Sequence, residues 1–397
     1  MSALLICLGR HGDVPYLRLG DVAPLVRREV VIDPEATYTE LGVRSFNKGT
    51  FHRRSMKGAE FTWQGLFRIN KDDLVFSNIM AWEGAVALAN PKDDGCIGNH
   101  RMLTCECDKQ RVDPAFLALY FKIPEGMAKL VAASTGTVAR NRTLTAAALA
   151  RIEVPVPSLD IQLRIVELFT LLGQKTSCVT EHLDAIEQGA EHLLALRFRD
   201  AIAEVPRRVM SEVAPAVRRS VEIDESIKYR EVGARSFGKG LFVKPDFDGA
   251  EATWQKPVWI QEGDVVLSNI KAWEGAVAIA KPEHDGCIAS HRYITCVPDR
   301  TSVTPGFLTY FLLSTEGLAQ IGLASPGTAD RNRTLGVTNL GNIRVPTPPI
   351  DLQRAFDRLH DHVANLKKKH TAIRDANATL VPATLERIFR ATEAEHA

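Results

Sequence analysis

The chain has 397 residues, with 49 Lys+Arg against 48 Asp+Glu, 45% hydrophobic residues and 24% charged residues. These fractions are ordinary for a globular protein and exclude wholesale disorder, and at ~100–200 residues per domain the length predicts two or three domains. A formal net charge of +1 excludes a uniformly basic polyelectrolyte, so any nucleic-acid contact has to come from local patches. No apolar run approaches the ~18–20 residues of a membrane span.

The N-terminus and the cysteines indicate a cellular compartment. The stretch from Ala3 to Leu8 is apolar but short and follows no cations, so we expect it not to be a signal peptide. The seven cysteines form no CxxC pair and no dense framework, which fits a reducing cytoplasm.

The chain is an internal duplication. Tyr38 matches Tyr229, and Gln162 matches Gln353, each at a spacing of 191 residues and without a gap. Roughly half of the positions between Tyr38 and Gln162 are identical in the second copy. So long a period indicates two whole domains rather than a solenoid of short repeats.

Each copy follows one order of elements. Strand-like runs come first, TYTELGVRSF, DDLVFSNI, GAVALA and CIGNHRMLTC in copy one. Asp113-Pro114, matched by Thr304-Pro305, is typical of an N-cap followed by proline at the first helical position. A polar loop and a short strand, IEVPVP, then lead to a long helix. We therefore predict an α+β fold with domain 1 at 1–158, helix 1 at 159–203, domain 2 at 204–349 and helix 2 at 350–397.

The two long helices carry apolar residues at spacings of three and four. In the first the series is Ile161, Ile165, Leu168, Leu172, Val179, Leu183, Ile186, Ala190 and Leu193. In the second it is Leu352, Phe356, Leu359, Val363, Leu366, His370, Ile373 and Leu380. This pattern predicts a coiled-coil seam, and the alternative is an amphipathic helix lying on each domain. Pro382 is expected to kink or interrupt the second helix, and Gly173 to weaken the first.

Chain geometry predicts the direction of the helices. About 40 helical residues cover ~60 Å, and the second domain begins almost as soon as the first helix ends. Returning that distance would need an extended linker of roughly 18 residues, and the sequence has none. We therefore expect an antiparallel coiled coil with a pseudo-two-fold axis and one domain at each end. Such a molecule suits two separated sites on DNA.

In this order of elements the chain resembles the specificity subunit of type I restriction-modification systems. The resemblance rests on a domain, a Pro-bounded strand (VPVPSLDIQ, VPTPPIDLQ) and a long helix, repeated once. The segments DDLVFSNIMAWEGAVALA and GDVVLSNIKAWEGAVAIA, and the helix ends FRD and FRA, are similar too. The resemblance covers essentially the full length, and its specificity lies in the repeated order rather than in any one motif.

The resemblance implies two target-recognition domains that each read half of a bipartite site in double-stranded DNA. It implies that the helices space the halves and dock two modification (methyltransferase) subunits, to which restriction subunits can be added. It also implies a subunit without catalytic activity of its own. The two domains here are unusually alike, whereas the family commonly pairs unlike ones. We therefore expect half-sites that are related and inverted but not identical.

Other chemistries fit the sequence poorly. A methyltransferase would need a Gly-rich cofactor loop and an Asn/Asp-Pro-Pro-aromatic motif, which the sequence lacks. An ATPase would need GxxxxGK[ST]; the segment Gly233–Lys239 comes close, but Gly240 stands where the Ser or Thr is required. No acidic cluster suggests a nuclease. Cys96, His100 and Cys105, repeated as Cys287, His291 and Cys296, could suggest zinc, but the missing fourth ligand favours buried thiols. We expect no cofactor, no metal and no membrane partner.

Polar side chains on repeated loops are the candidates for DNA contact. Arg reads guanine, Asn reads adenine, Glu accepts from cytosine, and Lys and Ser hold phosphates. The first-copy candidates are Arg44, Ser45, Lys48, Ser77, Asn78, Trp82, Glu83, Arg101, Thr137, Arg140, Asn141 and Arg142. The second-copy candidates are Arg235, Ser236, Lys239, Ser268, Asn269, Trp273, Glu274, Arg292, Thr328, Arg331, Asn332 and Arg333.

Structural alternatives exist for each group: a solvated loop for the Arg-Ser-Phe segments, core packing for the tryptophans and a helix cap for Asn141 and Asn332. Specificity is expected to differ where the copies differ. The segment from Phe51 to Lys57 and its counterpart from Phe242 to Asp248 differ in local charge, and the other candidates are Met80 against Lys271, Met102 against Tyr293 and Ala139 against Asp330. For the chain as a whole, the alternative to DNA readout is a duplicated protein-binding scaffold.

Overall fold

The computed structural model describes residues 14–61, 65–136, 141–252, 256–327 and 333–391. The chain divides into two compact units. Unit 1 comprises Met1–His182 together with Thr371–Ala397, and unit 2 comprises Leu183–His370. Each long helix therefore contributes one part to each unit. In the described part of the chain, no helix combines the length and apolarity that crossing a membrane requires.

The α-helices are short except for two. Those of the first repeat are Leu19–Val22, Pro114–Tyr120, Pro124–Ala133, Ala146–Ala150 and the first long helix, Leu159–Ile202. Those of the second are Met210–Val213, Pro305–Leu313, Thr315–Ala324, Val337–Gly341 and the second long helix, Ile350–Ala391. The mixture of these helices with short strands confirms the predicted α+β class.

The strands of the first repeat form small, mostly antiparallel sheets. They are β1 (Tyr16–Arg18), β2 (Leu25–Val26), β3 (Thr37–Val43), β4 (Thr50–Lys57), β5 (Phe67–Arg68), β6 (Leu74–Ser77), β7 (Val86–Leu88), β8 (Ile97–Gly98), β9 (Met102–Cys105), β10 (Ser134–Thr135), β11 (Thr143–Leu144) and β12 (Glu153–Pro155). Two four-stranded sheets have the orders β2-β9-β6-β7 and β4-β3-β8-β5, and β1 pairs with β12 and β10 with β11.

The strands of the second repeat follow the same course with shorter pairings. They are β13 (Arg207–Val209), β14 (Lys228–Tyr229), β15 (Val232–Ala234), β16 (Leu241–Val243), β17 (Phe247–Asp248), β18 (Val258–Trp259), β19 (Val265–Ser268), β20 (Val277–Ile279), β21 (Ile288–Ala289), β22 (Tyr293–Cys296) and β23 (Arg344–Pro346). The β3–β4 hairpin of unit 1 corresponds here to the separate pairs β14–β17 and β15–β16. Pro245 stands where unit 1 has Arg54, and a proline cannot donate to the ladder.

One central strand in each unit divides two apolar clusters. Leu74 and Phe76 of β6 point into one cluster of unit 1, and Val75 between them points into the other. Val265 and Leu267 of β19 point into one cluster of unit 2, and Val266 into another. Alternate residues of a strand face opposite sides, so a continuous apolar run serves two cores at once.

The predicted helix starts are confirmed. The Asp113 carboxylate accepts from the backbone N–H groups of Ala115 and Phe116 at 2.8 and 3.1 Å. Thr304 accepts from Phe307 N–H in the equivalent place. Both caps satisfy backbone donors that the first helical turn leaves without partners.

A buried glutamine fixes the start of each long helix. The Gln162 side chain is fully buried; it accepts from Asp113 N–H at 2.8 Å and donates to the carbonyls of Arg111 and Pro157 at 3.0 and 2.7 Å. Gln353 makes the same three bonds in unit 2, with Thr304, Ser302 and Pro348. Each amide thereby ties its helix to two loops of the adjoining domain.

The two long helices pair antiparallel in unit 2. Glu191 forms an ion pair with Lys367, Glu187 Oε1 lies 2.9 Å from His370 Nδ1, and the Phe198 and Phe356 rings are 5.5 Å apart. The partner numbers fall as the first-helix numbers rise, which is the antiparallel order. In unit 1, Phe389 stacks on Phe116 at 5.4 Å in the same core as Ile165.

The predicted seam is correct only in part. Ile165, Leu183, Phe356, Val363 and His370 are buried as expected. Val179, Ile186, Leu193, Leu352, Ile373 and Leu380 are instead between 38% and 52% exposed. The buried line of the first helix runs through Ile165, Phe169, Leu183, Leu194 and Phe198, which follows a period of ~3.6 residues rather than a strict heptad.

The expected interruption at Pro382 is wrong, since the second long helix continues through it to Ala391. Leu385, Ile388 and Phe389, which follow Pro382 in the same helix, are buried in the core of unit 1 and hold this last segment there. Tertiary packing thus offsets the backbone hydrogen bond that proline cannot donate.

We predict that Gln162→Ala lowers the free energy of unfolding by ~2–4 kcal/mol, because it leaves one buried donor and two carbonyls without partners. Denaturant unfolding of the full chain measures this. Gln188→Ala is the matched control, because Gln188 is exposed on the same helix and its loss is expected to cost less than ~0.5 kcal/mol. Equal effects of the two substitutions would contradict the role given to Gln162.

Candidate DNA-binding surface

Backbone hydrogen bonds join four separate loop segments of unit 1. Phe46 N–H donates to the Glu83 carbonyl at 2.7 Å, Asn78 N–H to Arg101 at 2.8 Å, and Leu144 N–H to Asn78 at 2.7 Å. These bonds bring together the segments 44–49, 77–84, 99–102 and 141–144, which we call the four-loop surface of unit 1. The sequence-predicted residues of four motifs thus lie on one surface.

Unit 2 repeats this framework. Phe237 N–H donates to Glu274 at 2.8 Å, Asn269 N–H to Arg292 at 2.8 Å, and Leu335 N–H to Asn269 at 2.7 Å. The four-loop surface of unit 2 consists of the segments 235–240, 268–275, 290–293 and 333–335. Because main-chain groups make these bonds, the framework is independent of the side chains it presents.

The predicted contact residues differ in exposure. Arg44, Lys48, Arg101, Asn141, Arg235, Lys239 and Arg292 are exposed. Ser45, Ser77, Asn78, Trp82, Glu83, Arg142, Ser236, Asn269, Trp273, Glu274 and Arg333 are partly exposed. Ser268 is only 5% exposed and offers a ligand little surface. Thr137, Arg140, Thr328, Arg331 and Asn332 lie outside the described residues.

An arginine covers the tryptophan of each surface. The Arg142 guanidinium lies 5.6 Å from the Trp82 ring centroid, and that of Arg333 lies 5.0 Å from Trp273. Each indole N–H donates to a carbonyl of its own turn, Ile79 or Ile270. Each tryptophan therefore supports a cation. This position is intermediate between the two alternatives drawn from the sequence, a core residue and a residue that contacts DNA.

Arg333 is held more tightly than the sequence suggests. Its guanidinium donates to the carbonyls of Ser325 and Gly322 at 3.4 and 3.2 Å. These carbonyls lie at the C-terminal end of the Thr315–Ala324 helix, where a cation is favourable. In this conformation Arg333 anchors its loop as well as adding positive charge.

A phenylalanine supports the first arginine of each surface. Arg44 lies 4.9 Å from the Phe51 ring centroid, and Arg235 lies 4.6 Å from that of Phe242. The ring crosses a glycine of the neighbouring strand, since a Cβ on Gly42 would come within 2.4 Å of Phe51. Only glycine leaves this space, and the ring, together with the Thr50 carbonyl that accepts from Arg44 at 3.0 Å, fixes the guanidinium of this exposed side chain.

The asparagines expected to read adenine point inward. The Oδ1 atoms of Asn78 and Asn269 are buried, and neither has a hydrogen-bond partner among the residues that the structure describes. Bidentate contact with adenine uses both ends of the amide, so these side chains would have to rotate to make it. An amide oxygen at the same position in both units thus lacks the hydrogen bond that buried polar atoms usually make.

The two surfaces differ in charge at one position. Lys271 Nζ lies 2.6 Å from Glu274 Oε1, and Ser236 Oγ donates to the other carboxylate oxygen at 3.1 Å. The hydrogen bond from Lys271, followed by that from Ser236, lowers the pKa of Glu274 below its ordinary value. Unit 1 has Met80 in place of Lys271, so the corresponding carboxylate of Glu83 has no such lysine beside it.

Two ion pairs next to the four-loop surfaces were not predicted from the sequence, which indicated only that the segments Phe51 to Lys57 and Phe242 to Asp248 differ in charge. Arg53 lies 3.7 Å from the largely buried Glu40, and Lys244 lies 2.8 Å from Glu231 at the same place in unit 2. Glu40 and Arg53 also line a cavity of about 330 Å³ together with Ser77 and Arg101. The matched basic–acidic pairing at an offset of 191 was the available signal.

Met102 and its counterpart Tyr293, another pair of positions expected to vary, support the surface from beneath. Met102 is 8% exposed, and the hydroxyl of its counterpart Tyr293 accepts from Ala234 N–H at 3.1 Å. A difference here changes how strands pack rather than which group meets a ligand.

The repeated cysteines are buried thiols. Burial raises the pKa of Cys105 and of Cys296 to about 12, so both are protonated at neutral pH. Cys96 Sγ lies 3.8 Å from His52 Nε2 rather than beside His100. Within the described ranges, no three His, Cys, Asp or Glu side chains are grouped to hold a metal ion.

Residues 12–188 match the family model "Type I restriction modification DNA specificity domain". This segment belongs to that family. Residues 203–379 repeat the matched segment without a gap at the offset of 191. The resemblance predicted from the sequence is confirmed by this match.

Two solved structures have the same fold. One is the crystal structure of the HsdS subunit from Thermoanaerobacter tengcongensis, with a TM-score of 0.62, 19% identity, and coverage of 95% of this chain and 96% of that one. The other belongs to a study of complex assembly and conformational transition of the type I R-M system, with a TM-score of 0.68, 18% identity, and coverage of 96% and 98%. The comparison with curated proteins found no match to this chain.

We predict that Lys271→Met raises the pKa of Glu274 toward its ordinary value, because it removes the nearest cation from the carboxylate. An NMR titration of the Glu274 side chain measures this. Lys244→Met is the matched control, since it breaks an ion pair of similar length with Glu231 and is expected to leave Glu274 unchanged. An unchanged Glu274 in Lys271→Met would contradict the assignment of this charge difference.

Proposed function

We propose that each unit of this specificity subunit reads one half of a bipartite DNA site through its four-loop surface. The observation that carries the proposal is the repetition of one hydrogen-bonded framework with different side chains upon it. Exposed Arg44, Arg101, Arg235 and Arg292 supply groups that suit phosphates or guanine edges. The shared framework favours half-sites that are related, and the differences at Met80 and Lys271 favour half-sites that are not identical.

We further propose that the long helices dock two modification subunits. The first helix exposes Leu163, Leu171 and Val179 in unit 1 and Ile186 and Leu193 in unit 2, at spacings of seven and eight residues. From Leu171 to Leu193 these residues fall within ~80° of the helix circumference at ~100° per residue, so they share one face that is available for another protein, whereas Leu163 lies off that face. Restriction subunits can join such a complex through the modification subunits.

In this proposal the chain itself is not catalytic and acts in the cytoplasm, where chromosomal DNA is accessible. Its net charge of +1 makes its own binding to DNA weak and sensitive to salt. The modification subunits then supply further neutralisation of phosphates and the adenine methyltransferase chemistry.

The test is a map of N6-methyladenine across the genome of a host strain with and without the chain, the modification subunits being present in both. We predict methylation that depends on the chain, at a motif of two defined parts separated by a fixed number of unspecified bases. Methylation independent of the chain would contradict the proposal and favour a protein-binding scaffold. A single uninterrupted motif would contradict the assignment of one half-site to each unit.

A further inference from the structure

An exposed phenylalanine stands at the same place in both four-loop surfaces. Phe46 is 69% exposed and Phe237 is 76% exposed. Their backbones have φ of 60° and 62°, in the left-handed region that disfavours a bulky side chain. Both the exposure and the conformation are unfavourable for phenylalanine, and both occur twice.

Backbone hydrogen bonds impose this conformation. Phe46 N–H and Asn47 N–H donate to the carbonyls of Glu83 and Gly84, and Arg44 N–H donates to Gly49 across the turn. The equivalent bonds in unit 2 join Phe237 to Glu274, Gly238 to Gly275 and Arg235 to Gly240. The ring is therefore held outward by the main chain rather than by packing.

The turn itself does not require a phenylalanine. At the next position the φ is 54° for Asn47 and 65° for Gly238, and these are residue types that suit the left-handed region. A glycine or asparagine would suit positions 46 and 237 equally well. Two copies that differ at many loop positions nevertheless both place an aromatic ring there.

A lysine lies beside each ring. The Nζ atoms of Lys48 and Lys239 lie 5.7 and 5.9 Å from the ring centroids of Phe46 and Phe237. Arg44 and Arg235 are exposed two residues earlier in the same turns. An aromatic ring beside a cation is complementary to a base and its phosphate.

We propose that Phe46 and Phe237 are stacking residues that insert between neighbouring base pairs of the two half-sites. Each ring partly unstacks one base step, and Lys48 or Lys239 binds the adjacent phosphate. The cost of unstacking depends on the base step, so the rings add to the selection of sequence without any hydrogen bond to a base. This inference rests on the proposed function, because it requires DNA on the four-loop surface.

The experiment uses the complex with modification subunits and a duplex that carries the mapped methylation site, with 2-aminopurine at successive positions of one half. With the unsubstituted chain we expect increased 2-aminopurine fluorescence at one step of each half-site. Phe46→Gly is expected to abolish the increase in one half-site only and to weaken binding at least about tenfold, as loss of a stacked base predicts. Phe46→Trp is expected to retain both.

Stability separates this role from a structural one. Phe46→Gly relieves the left-handed strain, so the midpoint of thermal unfolding is expected to rise by about 2–4 °C while DNA binding falls. Val31→Ala is the control for removing an exposed apolar group, since Val31 is 94% exposed and outside the four-loop surface. It is expected to leave the affinity unchanged.

Three outcomes overturn the inference: equal affinity of Phe46→Gly and the unsubstituted chain, fluorescence that the substitution leaves unchanged, or loss of assembly with the modification subunits as the sole effect. In each of these cases the unsubstituted complex still selects the mapped duplex. If that complex does not prefer the mapped duplex over an unrelated one, the proposed function itself fails.

Discussion

A buried glutamine in the first turn of each long helix fixes how a recognition domain is attached. Gln162 and Gln353 each satisfy one backbone N–H and two carbonyls of the loops that lead into the helix. All of these groups would otherwise be unsatisfied in a buried place, where each costs on the order of 1–3 kcal/mol. Each glutamine thereby joins the start of its helix to the adjoining globular domain.

The far end of a long helix completes each core. Phe198 packs among Phe307, Tyr310 and Phe356 in unit 2, and Phe389 packs on Phe116 and Tyr120 in unit 1. Phe198 and Phe389 occupy equivalent positions in the two copies. Phe198 of the first copy belongs to unit 2, and Phe389 of the second copy belongs to unit 1, so each copy supplies an aromatic residue to the core of the other copy's globular domain. Neither unit has a complete core without both helices.

Main-chain hydrogen bonds build the four-loop surfaces, and the side chains that these surfaces carry differ between the units. The bonds from Phe46 to Glu83 and from Asn78 to Arg101 recur in unit 2 although the neighbouring side chains differ. A framework of this kind tolerates substitution at Met80 or Lys271 without loss of the fold. It explains how a gene duplication can yield two surfaces that share one backbone framework and carry different side chains.

The sequence predicts the features that depend on local or repeated patterns. The offset of 191, the caps at Asp113 and Thr304 and the two long helices follow from spacing and from the chemistry of single positions. The exposed Val179 and Ile186 and the buried Phe169 could not be predicted in this way, because a seven-residue pattern does not show how a straight helix rotates against its partner.

Within the candidate surface, the sequence indicates which loops matter but not how their side chains lie. The inward Oδ1 of Asn78, the anchored guanidinium of Arg333 and the pairing of Arg53 with Glu40 depend on contacts between distant segments. The left-handed Phe46 is still harder to predict, since phenylalanine rarely adopts that conformation and nothing in its neighbours compels it locally.

The most direct test of the central claim is to replace residues 205–349 with a second copy of residues 14–158 and to map the methylated motif. The replacement preserves the length and the register of both long helices. If each unit reads its own half-site, the motif becomes two inverted copies of the half that unit 1 reads, with the original number of bases between them. An assembled complex that still methylates the original motif would contradict the claim that the two units read DNA separately.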